Sequence, residues 1–137
     1  MSWKPETPYL TVDGIVKIYS PEFKGIVLIK RKNPPHGFAL PGGFVDRGES
    51  VEEAVVREMK EELNIDVKIE KLLGVYSDPK RDPRFHTVSC VFVCSSNTFP
   101  KAGDDAKEAF VVKLEDIDFN KLVFDHKKII KDFIKQM

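Results

Sequence analysis

Apolar residues recur along much of the chain with the spacing of β-strands. Residues 9–19 alternate apolar and polar positions, and residues 25–30 (GIVLIK) are almost wholly apolar. Residues 86–94 carry apolar side chains at odd and even positions, so both faces of this strand are expected to be buried. Weaker strand patterns occupy residues 67–76 and 109–114. Together they predict a sheet that is covered on both sides.

The segments between these strands contain residues that end strands. Residues 31–37 include two consecutive prolines, and residues 77–84 hold Pro79 and Pro83 among charged residues. Residues 95–107 predict a further polar loop. The chain has 137 residues, of which 42% are hydrophobic, and it shows no repeat and no interdomain linker. We therefore expect a single domain over residues 1–137.

A helix is predicted between Ser50 and Asn64. Ser50 and Glu53 have the spacing of a capping box, and Asn64 stands where a helix ends in a left-handed residue. A second helix is predicted over residues 125–135, with Asp125 as its cap. Phe124 and Ile129 are placed for a hydrophobic staple at its start. Strands interleaved with two helices predict an α/β fold.

The carboxylates of the first helix lie on an unexpected face. At about 100° per residue, Glu58 and Glu62 fall within the apolar face, and Glu61 flanks that face. The apolar residues concerned are Val51, Ala54, Val55 and Met59. A carboxylate turned towards the interior is costly unless it is paired or binds a cation, and Mg²⁺ prefers oxygen ligands. The pattern favours a metal site over the alternative, a solvated acidic helix with salt bridges.

Charge, hydropathy and cysteine content limit the partners and the cellular compartment that are expected. Lys and Arg together number 22, as do Asp and Glu, so the net charge is zero and no nucleic-acid partner is expected. No apolar run has the length of a membrane span and no signal peptide opens the chain, so we expect no membrane association. Cys90 and Cys94 are expected to remain free thiols in the cytoplasm.

The segment from Gly43 to Ile65, GFVDRGESVEEAVVREMKEELNI, resembles the signature of the Nudix hydrolases, which cleave nucleoside diphosphates linked to another moiety. Asn64 stands where that family has glycine, and asparagine also tolerates the left-handed conformation. The resemblance implies an α/β/α sandwich with a mixed central sheet. It also implies a Mg²⁺-dependent enzyme, with Mn²⁺ as the alternative ion.

The same resemblance assigns roles to the charged residues of the signature. Glu58 and Glu62 would bind the metal, and Glu61 would bind it directly or through water. Glu49 would bind a further metal or an outer water, and the carbonyl of Gly43 would be another ligand. Arg57 would orient these carboxylates rather than touch the substrate.

A second set of segments resembles the prokaryotic ADP-ribose pyrophosphatase branch of the family. These are residues 77–92 (SDPKRDPRFHTVSCVF), 102–109 (AGDDAKEA) and 124–126 (FDH). The implied reaction converts ADP-ribose to AMP and ribose 5-phosphate. The sequence leaves the oligomeric state open, with a homodimer as one option. Two alternatives remain: hydrolysis of altered nucleoside triphosphates or dinucleoside polyphosphates, and non-catalytic sensing of an ADP-ribose-like ligand.

Arginines near this proline-bearing loop are the candidates for binding the substrate. Arg81 lies between Pro79 and Pro83, Arg84 directly follows Pro83, and arginine can bind phosphate through two hydrogen bonds. The alternative is an ordinary turn in which Asp78 and Asp82 neutralise them. Arg31 is a further candidate at the end of its strand. In the ADP-ribose branch glycine is common where Phe85 stands, so this side chain would reshape the pocket or stack on a base, or else belong to the core.

The catalytic base is expected outside the metal ligands. The loop before the last strand carries Asp105 and Glu108, which are our candidates in that order. The alternative is a solvated acidic loop that pairs with neighbouring lysines. In that case the base lies within the signature, and Glu61 is the choice. With Glu62 and Arg57, these residues complete the expected catalytic set.

Overall fold

The computed structural model describes residues 3–101 and 106–137 and contains seven strands and two α-helices in that part of the chain. Two short 3-10 turns, Leu114–Asp116 and Phe119–Lys121, precede the last helix. The strands and helices, in chain order, are β1 Tyr9–Tyr19, β2 Phe23–Arg31, β3 Phe38–Ala39, β4 Gly42–Phe44, α1 Val51–Leu63, β5 Lys68–Tyr76, β6 Thr87–Ser96, β7 Ala106–Val112 and α2 His126–Lys135.

All seven strands form one mixed sheet in the order β3-β2-β1-β6-β5, with β4 paired to β1 and β7 paired to β2. The central pair is parallel, with Tyr9 opposite Thr87 and Ile18 opposite Ser96. The other pairs are antiparallel. The mixed sheet is therefore confirmed.

A hydrophobic core lies on each face of the sheet. Helix α1 packs its buried residues on one face, and α2 packs Ile129, Ile130 and Phe133 on the other. In β6, Phe92 and Cys94 belong to the first core while Val91 and Val93 belong to the second, as the pattern predicted. The α/β/α sandwich is thus confirmed. Cys90 and Cys94 are free thiols.

Helix α1 begins and ends as its sequence predicted. The side chain of Ser50 accepts a hydrogen bond from the Glu53 amide, and the Glu53 carboxylate accepts one from the Ser50 amide. Asn64 adopts the left-handed conformation, with φ 58°. No helix in the described residues is long and apolar enough to span a membrane.

The start of α2 differs from the prediction. Asp125 occupies the N-cap position, but its side chain makes no capping hydrogen bond. Its carboxylate instead accepts two hydrogen bonds from Arg81. The predicted staple is also absent from the hydrophobic core around Ile129, since Phe124 is not among the residues that pack there. Phe124 and His126, at the start of α2, instead line a cavity.

Candidate active site

A cavity of about 370 Å³ opens at the point where β1, the β3–β4 turn and α1 meet the start of α2. Its lining includes the carboxylates Glu58 and Glu62 beside Gly42 and Gly43, which we call the carboxylate wall. It also includes cationic and aromatic groups, which we call the cationic wall. These residues are Arg31, Lys32, Arg81, Arg84 and Phe124. Carboxylates and cationic groups thus line the same cavity.

Close packing fixes the carboxylate wall. The amide of Gly42 donates a hydrogen bond to Oε1 of Glu62, which is a buried residue, at 2.9 Å. A β-carbon on Gly43 would lie 2.5 Å from the carboxyl carbon of Glu58, and one on Gly42 would lie 2.1 Å from the carbonyl oxygen of Val12. At Gly42 only glycine fits, because backbone stands in the way, and at Gly43 a side chain would displace the Glu58 carboxylate. The backbone therefore approaches the two carboxylates directly.

Arg57 holds the carboxylates behind this wall. Its guanidinium donates hydrogen bonds to Glu49 at 2.6 and 2.9 Å, to Glu58 at 2.9 Å and to Glu61 at 3.1 Å. It also donates to the carbonyl oxygen of Phe44 at 3.0 Å. The hydrogen bonds from Arg57 lower the pKa of Glu49 to about 2, so this carboxylate stays charged. The expectation that Arg57 is locked among acids agrees with this geometry.

The donor set suits a hard divalent cation. Among the described residues, no three His, Cys, Asp or Glu side chains already form a metal cage. Mg²⁺ does not need one, because it is usually bound by one or two carboxylates together with substrate phosphates and water. Glu58 and Glu62 line the cavity beside the backbone of Gly43, so two carboxylates of this kind are present. Glu49 and Glu61 lie behind them and do not line the cavity.

The floor of the cavity holds two buried titratable groups that the sequence did not reveal as site residues. Asp13 on β1 accepts a hydrogen bond from the hydroxyl of Ser89 on β6, and burial raises its pKa to about 7. His126 accepts a hydrogen bond from the Leu40 amide at Nδ1, and burial lowers its pKa to about 3. His126 Nε2 lies 3.9 Å from Asp13. An aspartate inside the buried run of β1 was the available signal.

The two loop arginines are placed differently. Arg81 is buried and donates to both carboxylate oxygens of Asp125, at 2.9 and 2.7 Å, and to the hydroxyl of Thr87. Arg84 is more exposed and pairs with Asp82 at 3.0 and 2.8 Å. Both arginines are therefore paired internally, but the side chain of Arg81 is only 4% exposed whereas that of Arg84 is 37% exposed and lines the cavity. For Arg81 the partner is Asp125 rather than Asp78, because the loop folds onto the start of α2.

Phe124 separates the two outer arginines. The guanidinium carbons of Arg31 and Arg84 lie 5.0 and 5.3 Å from the centre of its ring. Arg31 also donates hydrogen bonds to the carbonyls of Pro34 and Pro35. Phe124 has a φ of 57°, which is uncommon for a bulky residue, and its ring lines the cavity. Strained residues of this kind cluster at functional sites.

A model of the NUDIX domain matches residues 8–133. The chain belongs to the NUDIX domain family. It is 53% identical over 131 residues to an ADP-ribose pyrophosphatase of Methanocaldococcus jannaschii, covering 93% of this chain and 74% of that protein. A MutT/nudix family protein of Enterococcus faecalis superposes with a TM-score of 0.85 at 33% identity, covering 99% of this chain and 64% of that one.

A further NUDIX structure contains ligands. A bifunctional NMN adenylyltransferase/ADP ribose pyrophosphatase of Francisella tularensis, complexed with AMP and an Mn ion, superposes with a TM-score of 0.79 at 28% identity. The match covers 99% of this chain and 43% of that one. This chain therefore spans less than two thirds of both matched structures.

Besides Glu49, Arg57 and Glu61, three further predicted residues lie away from the cavity lining of this NUDIX domain or beyond the described part. Asp105 falls outside the described residues. Glu108 lies on β7 opposite Lys30 and does not line the cavity. The reason is that β7 begins at Ala106 and not at residue 109, so Glu108 is a strand residue rather than a loop residue. Phe85 is partly exposed beside the cavity and packs against Tyr9 and Phe44.

Proposed function

We propose that this NUDIX domain hydrolyses ADP-ribose to AMP and ribose 5-phosphate in the presence of Mg²⁺. The observation that carries the proposal is a single cavity lined both by Glu58 and Glu62 and by Arg31 and Arg84. A pyrophosphate bound in this cavity would meet metal-binding oxygens and hydrogen-bond donors together. The similarity to an ADP-ribose pyrophosphatase over 93% of this chain supports the choice of substrate.

The metal would be held by the carboxylates of Glu58 and Glu62 and the carbonyl of Gly43. A divalent cation at such a site neutralises phosphate charge and makes a bound water more acidic. Arg57 keeps Glu58 oriented by its hydrogen bond of 2.9 Å, and Glu49 and Glu61 anchor Arg57 in turn. Under this proposal Glu49 and Glu61 serve as ligands of a further ion or of metal-bound water. Mn²⁺ is expected to support hydrolysis in place of Mg²⁺.

The cationic wall would bind the phosphates. Arg84 and Arg31 have guanidinium groups at the cavity, spaced by the ring of Phe124. Arg81 contributes indirectly, because its buried pair with Asp125 fixes the loop that carries Arg84 to the start of α2. Arg81 is therefore a positioning residue in this scheme.

The catalytic base belongs to the proposal as a choice among three acids. Asp105 remains the first candidate, Glu108 becomes a weaker one because of its place on β7, and Glu61 is the alternative. Each is to be replaced by its amide and assayed over pH at saturating Mg²⁺. Loss of the acidic limb together with a large fall in kcat identifies the base. If the amides of Asp105 and Glu108 keep kcat within about threefold, Glu61 is the base.

A substrate panel tests the proposal. ADP-ribose, nucleoside triphosphates and dinucleoside polyphosphates are assayed with Mg²⁺, and the products are separated chromatographically. We expect the highest kcat/KM for ADP-ribose, with AMP and ribose 5-phosphate as products. A higher kcat/KM for a triphosphate or a dinucleoside polyphosphate overturns the substrate assignment. Tight binding of ADP-ribose without turnover indicates a sensor instead.

The proposal includes a cellular setting. The free thiols of Cys90 and Cys94 suit a reducing cytoplasm. The balanced charge, with 22 basic and 22 acidic residues, suits a small-molecule substrate rather than nucleic acid. A homodimer remains part of the proposal, and sedimentation of the purified protein tests it.

A further inference from the structure

Three aromatic rings from distant parts of the chain meet at the surface beside the cavity. The ring centres of Tyr9 and Phe85 are 4.8 Å apart, those of Tyr9 and Phe44 are 5.9 Å apart, and those of Phe44 and Phe85 are 6.0 Å apart. We call these three residues the aromatic platform. Their side chains are not covered by the core, since Tyr9, Phe44 and Phe85 are 57%, 43% and 38% exposed.

The aromatic platform is continuous with the cavity in two ways. Phe44 directly follows Gly43, and Phe44 itself lines the cavity. Arg84 has its guanidinium carbon 5.0 Å from the ring centre of Phe85 and 5.3 Å from that of Phe124. Arginine and aromatic groups thus alternate from Arg31, inside the cavity, out to the platform.

We propose that the aromatic platform binds the heteroaromatic base of the nucleotide whose phosphates lie in the cavity. This inference rests on the proposed function, because it takes the phosphates to lie in that cavity. Every nucleobase has a π-face that stacks on aromatic side chains. The mutual ring contacts hold the three side chains in place, so little conformational entropy is lost when a base binds.

The position of the platform favours a base over a second copy of this chain. An interface between copies needs roughly 800 Å² on each partner, whereas a base needs only a few rings. The platform also begins one residue after Gly43 and continues past a guanidinium that faces the cavity. A ligand with an anionic end and a flat apolar end matches this arrangement.

Binding of AMP and of ribose 5-phosphate, measured by isothermal titration calorimetry with Mg²⁺, separates the base from the rest of the substrate. Tyr9→Leu and Phe85→Leu are each expected to weaken AMP roughly tenfold, which corresponds to about 1.4 kcal/mol and lies within the range for stacking one base. Ribose 5-phosphate affinity is expected to stay unchanged. Tyr9→Phe, which keeps the ring, should keep the affinity of AMP.

Phe99→Leu is the matched control, because Phe99 is 52% exposed and lies outside the platform and the cavity. It is expected to leave both affinities unchanged. Unchanged AMP binding in Tyr9→Leu and Phe85→Leu overturns the inference, as does equal weakening of AMP and ribose 5-phosphate. Conversion of a dimer to a monomer with AMP binding intact assigns the platform to a subunit interface and also overturns it.

The experiment separates this inference from the proposed function. If ADP-ribose is not hydrolysed but AMP binding depends on the platform rings, the platform stands and the substrate assignment fails. If ADP-ribose is hydrolysed while AMP affinity is unchanged by loss of these rings, the inference about the platform is wrong and the proposed function stands.

Discussion

Glu62 unites three properties that rarely occur in one residue. It is a buried carboxylate, it lies on the apolar face of α1, and it accepts a hydrogen bond from the Gly42 amide at 2.9 Å. Its place on that face was predictable, because helical periodicity alone puts residues 58 and 62 beside the apolar positions. The close approach of the glycine backbone was not predictable, since it depends on how β4 packs against the helix.

Replacing Glu62 by Gln removes the negative charge of the side chain and keeps its size and shape. The amide oxygen can still accept the hydrogen bond from Gly42, so we expect the fold to persist while kcat falls by several orders of magnitude. Without metal, the melting temperature should rise, because repulsion from Glu58 is relieved. Steady-state kinetics and thermal unfolding in a chelator measure both effects. Near-normal turnover in this variant, or full wild-type activity in the chelator, contradicts the metal assignment.

The loop arginines show where single-residue prediction failed. The alternation of prolines and cations between residues 79 and 84 indicated two phosphate-binding groups. Arg81 instead forms a buried pair with Asp125, 44 residues away. Nothing local in the sequence marks such a partner, because the pairing depends on the tertiary position of α2. Asp13 escaped notice for the same reason, since its partner Ser89 lies on another strand.

At the level of elements, α1 was predictable to within one residue at each end because its signals are local. The capping box and the left-handed stop each involve groups within one turn. The start of β7 was not, because Lys107 and Glu108 near its start are polar and give no apolar strand pattern. Asp125 occupies the N-cap position of α2 as predicted, but it makes no capping hydrogen bond because its carboxylate accepts hydrogen bonds from Arg81.

The stop of α1 can be tested by substitution at Asn64. With φ at 58°, valine should cost roughly 1–2 kcal/mol of unfolding free energy. Glycine adopts this φ freely but loses the hydrogen bond from the Asn64 amide group to the carbonyl of Lys101, at 3.1 Å. We therefore expect Asn64→Gly to lie within about 1 kcal/mol of wild type. Urea unfolding measures both variants, and equal stability of the valine variant and wild type refutes the left-handed stop.

At the scale of the whole molecule, the buried pair on the cavity floor should shape the pH dependence of stability. The pKa of Asp13 is about 7 in the folded protein and 3.8 in the unfolded chain. Its contribution to the unfolding free energy is therefore present at low pH and is lost as the pH rises towards 7. The pKa of His126 is about 3 in the folded protein and 6.5 in the unfolded chain. Its contribution to the unfolding free energy is therefore present above pH 6.5 and is lost as the pH falls. Between about pH 4 and 6.5 the two slopes oppose each other.

Single substitutions should expose each slope. In Asp13→Asn only His126 remains, so unfolding free energy should rise from pH 4.5 to 6.5 relative to wild type, by up to about 1.4 kcal/mol per pH unit. In His126→Gln, which keeps an acceptor for the Leu40 amide, it should fall over the same range. Urea unfolding of the three proteins at both pH values measures this. Three parallel pH profiles exclude the buried pair as their source.

The parallel pairing of β1 with β6 has a consequence for how the chain is made. The hydroxyl of Thr11 on β1 donates a hydrogen bond to the carbonyl of Val88, 77 residues later. The chain must lose the conformational entropy of closing this long loop before the contact can form. Chains dominated by such distant pairings fold slowly. On the ribosome, α1 with its carboxylates is synthesised well before β6 and α2 supply the floor and cationic wall of the cavity. We therefore expect neither a stable fold nor a metal site in this domain until β6 and α2 have emerged.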